Sequence, residues 1–227
     1  MNDRTLWRLA AASGILYVAL TLAHSNGGSG VGLGDSRASI ASWVGGTLGP
    51  RGVNWIGVYT GIAALLCLVV FAAVLAATIR YRESAQPWLS SVTFGAGLLG
   101  VAVKLTSLPA VFALAYRAHD GFEPQLAAAL TDMNDFSFVL TWPLLALMIG
   151  AAAIGVLRYG ALPAWLGWSG VAGAIALFAA LPLAFGPGAA FAFVASSLWI
   201  VLASATMVIR PNRKVEPATT RDAVLVT

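Results

Sequence analysis

The chain has 227 residues, 59% of them hydrophobic and 10% charged, with a mean hydropathy of +0.84. A soluble domain of this size needs far more polar surface to cover its core, so that class is excluded. The formal charge of +4 and pI near 9.6 reside in basic residues at the ends of apolar runs. Topology and anionic lipid account for them there, which leaves nothing for nucleic acid to explain.

Six apolar runs follow one another: Leu6–Ala23, Val53–Ile79, Trp88–Tyr116, Met133–Leu157, Pro163–Phe185 and Ala189–Ile209. Each is near the roughly 20 residues that a helix needs to cross a bilayer. The fold predicted is therefore an all-α bundle of six transmembrane helices in one domain over residues 1–210, followed by a cytoplasmic tail, 211–227, expected to be disordered. With the N-terminus inside, Arg4, Arg8, Arg80, Arg82, Arg158, Arg210, Arg213 and Lys214 fall on one side, against Arg37, Arg51 and Arg117 on the other. That asymmetry predicts both termini on the cytoplasmic face of a bacterial cytoplasmic membrane. Asp35, Asp120, Glu123, Asp132 and Asp135 take the outer side.

The first run, flanked by Arg4 and Arg8, also fits a secretory signal ending at Thr21-Leu22-Ala23. It is expected to be retained as a span; cleavage would make His24 an N-terminal histidine able to chelate copper. The outer segment 25–54 follows. Its Gly27–Gly34 stretch lacks both G-x-G-x-x-G and the P-loop lysine, and it follows a membrane helix, so nucleotide binding is not supported. Ser36–Val44 places Ile40, Trp43 and Val44 at helical spacing opposite Ser and Arg. This predicts a short amphipathic helix, as a surface anchor in preference to a lid.

Gly57 and Gly61 form a G-x-x-x-G in the second run, whose Cys67, alone of its kind, has no disulfide partner and reads as packing. Gly95, Gly97, Gly100, Gly167, Gly170 and Gly173 are expected to let helices approach closely in the third and fifth runs. Pro109 and Pro182, each after a leucine, predict kinks, and Pro143 is a third candidate.

Lys104 stands out in the third run. A lysine deep in the bilayer costs roughly 2.5–3.5 kcal/mol on insertion scales, so it should face the interior and find a partner. At about 1.5 Å rise per residue it lies roughly 24 Å above Trp88, and Asp135 roughly 33 Å above Leu157. Snorkelling makes Asp135, or Asp132 one turn higher, the expected counter-ion. A register-fixing buried pair, or a neutral amine hydrogen-bonded to carbonyls, stands side by side with a functional polar pocket including Asn134. Lys104 and Ser107, at i and i+3, also fit the spacing of a Ser–Lys dyad, though a hydroxyl before Leu108-Pro109 ordinarily bonds a backbone carbonyl.

His24, His119, Asp120 and Glu123 gather on the outer side and are the weak candidates for a metal site; no H-x-x-x-H or H-E-x-x-H pattern supports them. Zinc hydrolases with three histidine ligands are excluded, since the chain has two histidines. Haem lacks an aromatic pocket, and no cofactor is expected.

The hairpins Arg80-Tyr81…Pro87-Trp88-Leu89 and Arg158-Tyr159…Pro163-Ala164-Trp165-Leu166 read alike and run in the same direction, with Asn54 and Asn134 upstream. Duplication and convergence on interfacial anchors both explain them, and convergence is the simpler. The segment Arg158–Trp168, with six spans and an Asn134-Asp135 opening of the fourth, resembles small uncharacterised bacterial multipass membrane proteins of actinobacterial type, grouped as a domain of unknown function. The resemblance covers most of the chain and implies an integral membrane protein; it carries no catalytic residues across. The residues themselves lead to three expectations. The first is a non-enzymatic protein that binds or passes a small solute or lipid-like molecule through an outward-facing cavity lined by Lys104, Asp132 and Asp135. The second is an accessory or structural subunit of a larger membrane complex, or a homo-oligomer. The third is an outer-face metalloprotein or enzyme.

Overall fold

The computed structural model describes residues 3–26, 35–43, 55–83, 87–117, 123–184 and 188–210. The glycine-rich stretch 27–34, Val44, Asn54, His119, Asp120 and the tail from residue 211 onward lie outside the described residues, as does the side chain of His24. Among the described residues the chain is helical and has no strand. In chain order the helices are α1 (Asp3–Asn26), α2 (Arg37–Trp43), α3 (Trp55–Arg80), α4 (Trp88–Leu105), α5 (Leu108–Arg117), α6 (Pro124–Tyr159), α7 (Ala164–Ala179) and α8 (Gly188–Ile209). Among the described residues four stretches are long and apolar enough to cross a membrane: Thr5–Ala23, Trp55–Arg80, Trp88–Leu114 and Pro124–Tyr159.

The helix ends follow from local chemistry. Pro124 opens α6 at a position where its missing N–H costs nothing, and Gly160 closes it with φ 62°, a left-handed conformation that glycine adopts without penalty. The start of α4 is capped from across the preceding loop. The Glu83 carboxylate accepts from the amides of Leu89 (2.8 Å) and Ser90 (3.3 Å) and from Ser90 Oγ (2.6 Å), placing negative charge on the positive end of the helix dipole. Replacing Glu83 with Ala should lower unfolding stability by about 1–2 kcal/mol, read as a fall in melting temperature in detergent micelles.

Pro109 and Pro182 break their helices. Pro109 has no N–H for the carbonyl four residues back, and the helix parts at Thr106-Ser107. The hydroxyls there cover carbonyls near the gap: Thr106 Oγ1 donates to Val103 O (2.6 Å) and Ser107 Oγ to Lys104 O (2.9 Å). At Pro182 the α7 helix ends and a 3-10 turn, Leu181–Leu183, takes over. Pro143 behaves otherwise: α6 runs through it as one helix.

The helices close into a ring, α1–α3–α4–α6–α7–α8 and back to α1, with α3 also reaching α6 across the middle. The centre is apolar, built on Phe71, Leu75, Ile79, Met148, Ile149, Leu166, Ile200 and Met207. Small residues set how near the helices come. A Cβ at Gly97 would lie 2.7 Å from Ala72 Cβ, and one at Gly170 would lie 2.7 Å from Trp199 Nε1, which donates to Leu166 O at 3.0 Å. Gly95 and Gly173 meet nothing within 4 Å, so the sequence-based expectation that they also bring helices together is corrected.

At about 1.5 Å per residue, α6 is about 54 Å long, well over the roughly 30 Å of hydrocarbon in a bilayer. Its first turns serve another purpose. Ile40 of α2 is 2% exposed, packed with Leu114, Ala127 and Ala128 and flanked by Trp43 and Leu130. The short helix therefore docks its apolar side on α5 and α6, so that protein covers Ile40. Ser36 caps it through a 3.1 Å bond from the Ser39 amide.

Candidate functional site

The break between α4 and α5 faces the first part of α6, and a cluster of polar residues meets there. Lys104 ends its helical turn just before the break, and its amine reaches across to α6. Nζ donates to Asn134 Oδ1 (2.8 Å), Asn134 O (3.0 Å) and Ser137 Oγ (3.2 Å). An ammonium has three protons, and three oxygens receive them. Ser137 Oγ in turn donates to Asn134 O at 2.6 Å, and Asn134 Nδ2 donates to Asp135 Oδ1 at 3.2 Å. Asp135 also acts on the ammonium through its charge.

The structure thus brings Lys104, Asn134 and Asp135 together. Asn134 supplies the hydrogen-bonding oxygens, and Asp135 stands behind it as the compensating charge. Ser137 belongs to the same cluster and was missed from sequence; it lies one helical turn beyond Asn134, so its spacing was the available signal. Carbonyl, amide and hydroxyl oxygens around a partly buried ammonium replace the water it has lost, while a nearby carboxylate limits the charge cost.

Ser107 is held otherwise than a nucleophile would be. Its hydroxyl donates to Lys104 O (2.9 Å) and Asn134 Oδ1 (3.3 Å), while the amine's protons go to α6. A Ser–Lys dyad needs the hydroxyl to donate to the amine, and these bonds orient both groups away from that arrangement.

Asp132 goes elsewhere. It lies on the other side of α6 from Asn134, because two residues turn a helix by about 200°. There it lines a groove of about 490 Å³ together with Val103, Thr106, Ser107, Ala129, Met133, Phe136, Ser137 and Leu140. Lys104 and Asp135 are not among the lining residues, which corrects the expected composition of the cavity. The two sites share a wall: Ser107 and Ser137 bond the Lys104 cluster and also border the groove. Met133, Phe136 and Leu140 are 55%, 46% and 58% exposed, so the groove is open on the outer surface of the bundle.

Among the described residues no group of three or more histidine, cysteine or acidic side chains converges as a metal site would require. Glu123 is exposed at the start of α6; its companions His24, His119 and Asp120 fall on side chains outside the described residues. No family model, no curated protein and no solved structure matches the chain.

Proposed function

We propose that the chain is a six-span integral membrane protein of the bacterial cytoplasmic membrane, both ends inside, which binds a small amphipathic molecule in the groove between the α4–α5 break and α6. No chemical step is assigned to it. The groove carries this reading. Its volume suits a small ligand, most of its lining is apolar and open toward acyl chains, and Thr106, Ser107, Ser137 and Asp132 add hydroxyls and a carboxylate. A site of this kind admits molecules that already sit in the membrane.

Several observations support the six crossings. The 16 residues of α7 are about 24 Å of helix, and the 3-10 turn at Leu181–Leu183 extends that path to a bilayer's depth. The 22 residues of α8 supply the sixth crossing. Exposed aromatic residues mark both levels: Trp55, Tyr59 and Tyr116 at one, and Tyr81, Trp88, Trp165 and Trp168 at the other. Such belts sit at headgroups. The cationic helix ends Arg80, Arg158 and Arg210 share the second level, as the inside of a membrane favours. The likeness to uncharacterised actinobacterial multipass proteins fits the same topology.

Ala129 borders the groove without joining the Lys104 cluster. Ala129→Trp should fill the groove and abolish labelling of Met133 and Phe136 by a photoreactive dodecanol in nanodiscs, while the melting temperature stays unchanged. Labelling at the wild-type level in this variant would overturn the reading. An accessory-subunit role is the second reading, favoured by the open space beside Gly95 and Gly173, where another helix has room to approach. Its measure is the native mass in mild detergent: a complex with a second protein supports it, and a monomer overturns it.

A further inference from the structure

Charge within the groove narrows the class of molecule. Lys104 and Asp135 oppose each other, and their hydrogen bonds run through Asn134, on the far side of the shared serine wall. Among the described residues Asp132 is the one ionisable residue lining the groove, and it has no hydrogen-bond or ion-pair partner among them. It is only half-buried, at the upper end of the groove. A carboxylate there has its oxygens free to accept hydrogen bonds from a ligand.

The dimensions then order the ligand. From Asp132 to Leu140 the α6 backbone rises about 12 Å. Asp132 lies about 38 Å above Leu157, which puts it at the outer headgroup level, and Leu140 lies well inside hydrocarbon. Phe136 comes one helical turn below Asp132, on the same face. An aromatic ring beside a carboxylate suits an organic cation, through ring attraction as well as ion pairing. Around and below it, Met133, Leu140 and Val103 offer only apolar contact.

We propose that the groove selects an alkylammonium amphiphile drawn from the outer leaflet, its cationic head at Asp132 and its chain running down past Phe136 and Leu140. The inference rests on the binding reading above and gives it a sign of charge. An anionic head would face Asp132 without a cation to meet it. A neutral one would bind through the apolar walls alone.

The test sets dodecyltrimethylammonium, dodecanol and dodecyl phosphate against the photoreactive dodecanol in nanodiscs of zwitterionic lipid. The ammonium compound should displace the label at about a tenfold lower concentration than either of the others, as one ion pair near a protein surface supplies. In Asp132→Asn the three should displace the label at equal concentrations, whatever the label's own affinity for that variant; in Asp132→Glu the preference should persist. Equal displacement in the wild type, with Ala129→Trp still blocking the label, overturns the charge assignment and leaves the groove as a site. A cation preference that survives Asp132→Asn also overturns it. If no compound displaces the label, the binding reading falls together with this one.

Discussion

Lys104→Met should destabilise the bundle by about 2–3 kcal/mol, and adding Asp135→Asn to that variant should recover a large part of the loss. Methionine keeps the length of the side chain and removes the charge, so packing against α6 survives. The ammonium's three hydrogen bonds to Asn134 and Ser137 do not. What remains is a half-buried Asp135 that has lost the ammonium acting on it. Removing one member of a buried pair costs about 3–5 kcal/mol, and partial exposure reduces that figure. Making residue 135 neutral removes the charge that the ammonium had offset, while the new amide still has Asn134 beside it. Reversible unfolding of the four proteins of the cycle in mixed micelles gives the coupling energy. Strictly additive losses would show that Asp135 does not serve Lys104.

The same cycle separates structure from binding. Because Lys104 lies behind the groove and not in it, the double variant should still take up the photoreactive dodecanol. This departs from the simplest expectation for a buried lysine, in which loss of the amine abolishes binding. The cluster then acts as the brace that joins the broken α4–α5 segment to α6. It fixes the shape of the groove wall through Ser107 and Ser137.

Much of this was visible in the residues, and what was hidden has a physical cause. Helix positions follow hydrophobic run length, and the breaks near Pro109 and Pro182 follow from an absent N–H; both are local properties. The need of Lys104 for a partner was equally legible, since the cost of a charge in lipid does not depend on the fold. Which partner it finds was not legible. Asp132, Asn134 and Asp135 are near neighbours in sequence, and helical rotation sends one of them to the groove and the others to the interior. Run length cannot fix that rotation. The amphipathic pattern of 36–44 likewise gave a helix with an apolar side, but a bilayer surface and the projecting start of α6 satisfy such a side equally well. Nor could composition separate Gly97, wedged between Ala72 and Met148, from Gly95 two residues earlier, which touches nothing. The difference is the face on which each one falls.

The most severe loss expected from a single methyl group is at Gly14. There α1 crosses α3 and α8, and a Cβ would lie 2.6 Å from Cδ2 of Phe71 and closer still to Ser204 Oγ. Neither neighbour has room to give. Phe71 is completely buried in the core, and Ser204, also buried, donates to Ala11 O at 2.7 Å to tie α8 to α1. Gly14→Ala must push the helices apart or break that bond and rotate the ring, at a cost of about 3 kcal/mol or more. The helix-forming advantage of alanine, about 1 kcal/mol, offsets only part of it. Gly173→Ala is the matched comparison. It lies in mid-helix with nothing within 4 Å of the added carbon, so the same substitution should leave stability unchanged or raise it by up to about 1 kcal/mol. Opposite signs for the two substitutions, measured by unfolding in micelles, would place the tight crossing at α1, α3 and α8. Ser204→Ala in the Gly14→Ala background should return some of the loss, because it removes the nearer of the two obstacles. If Gly14→Ala proves as mild as Gly173→Ala, the close approach of α1 to its neighbours is wrong.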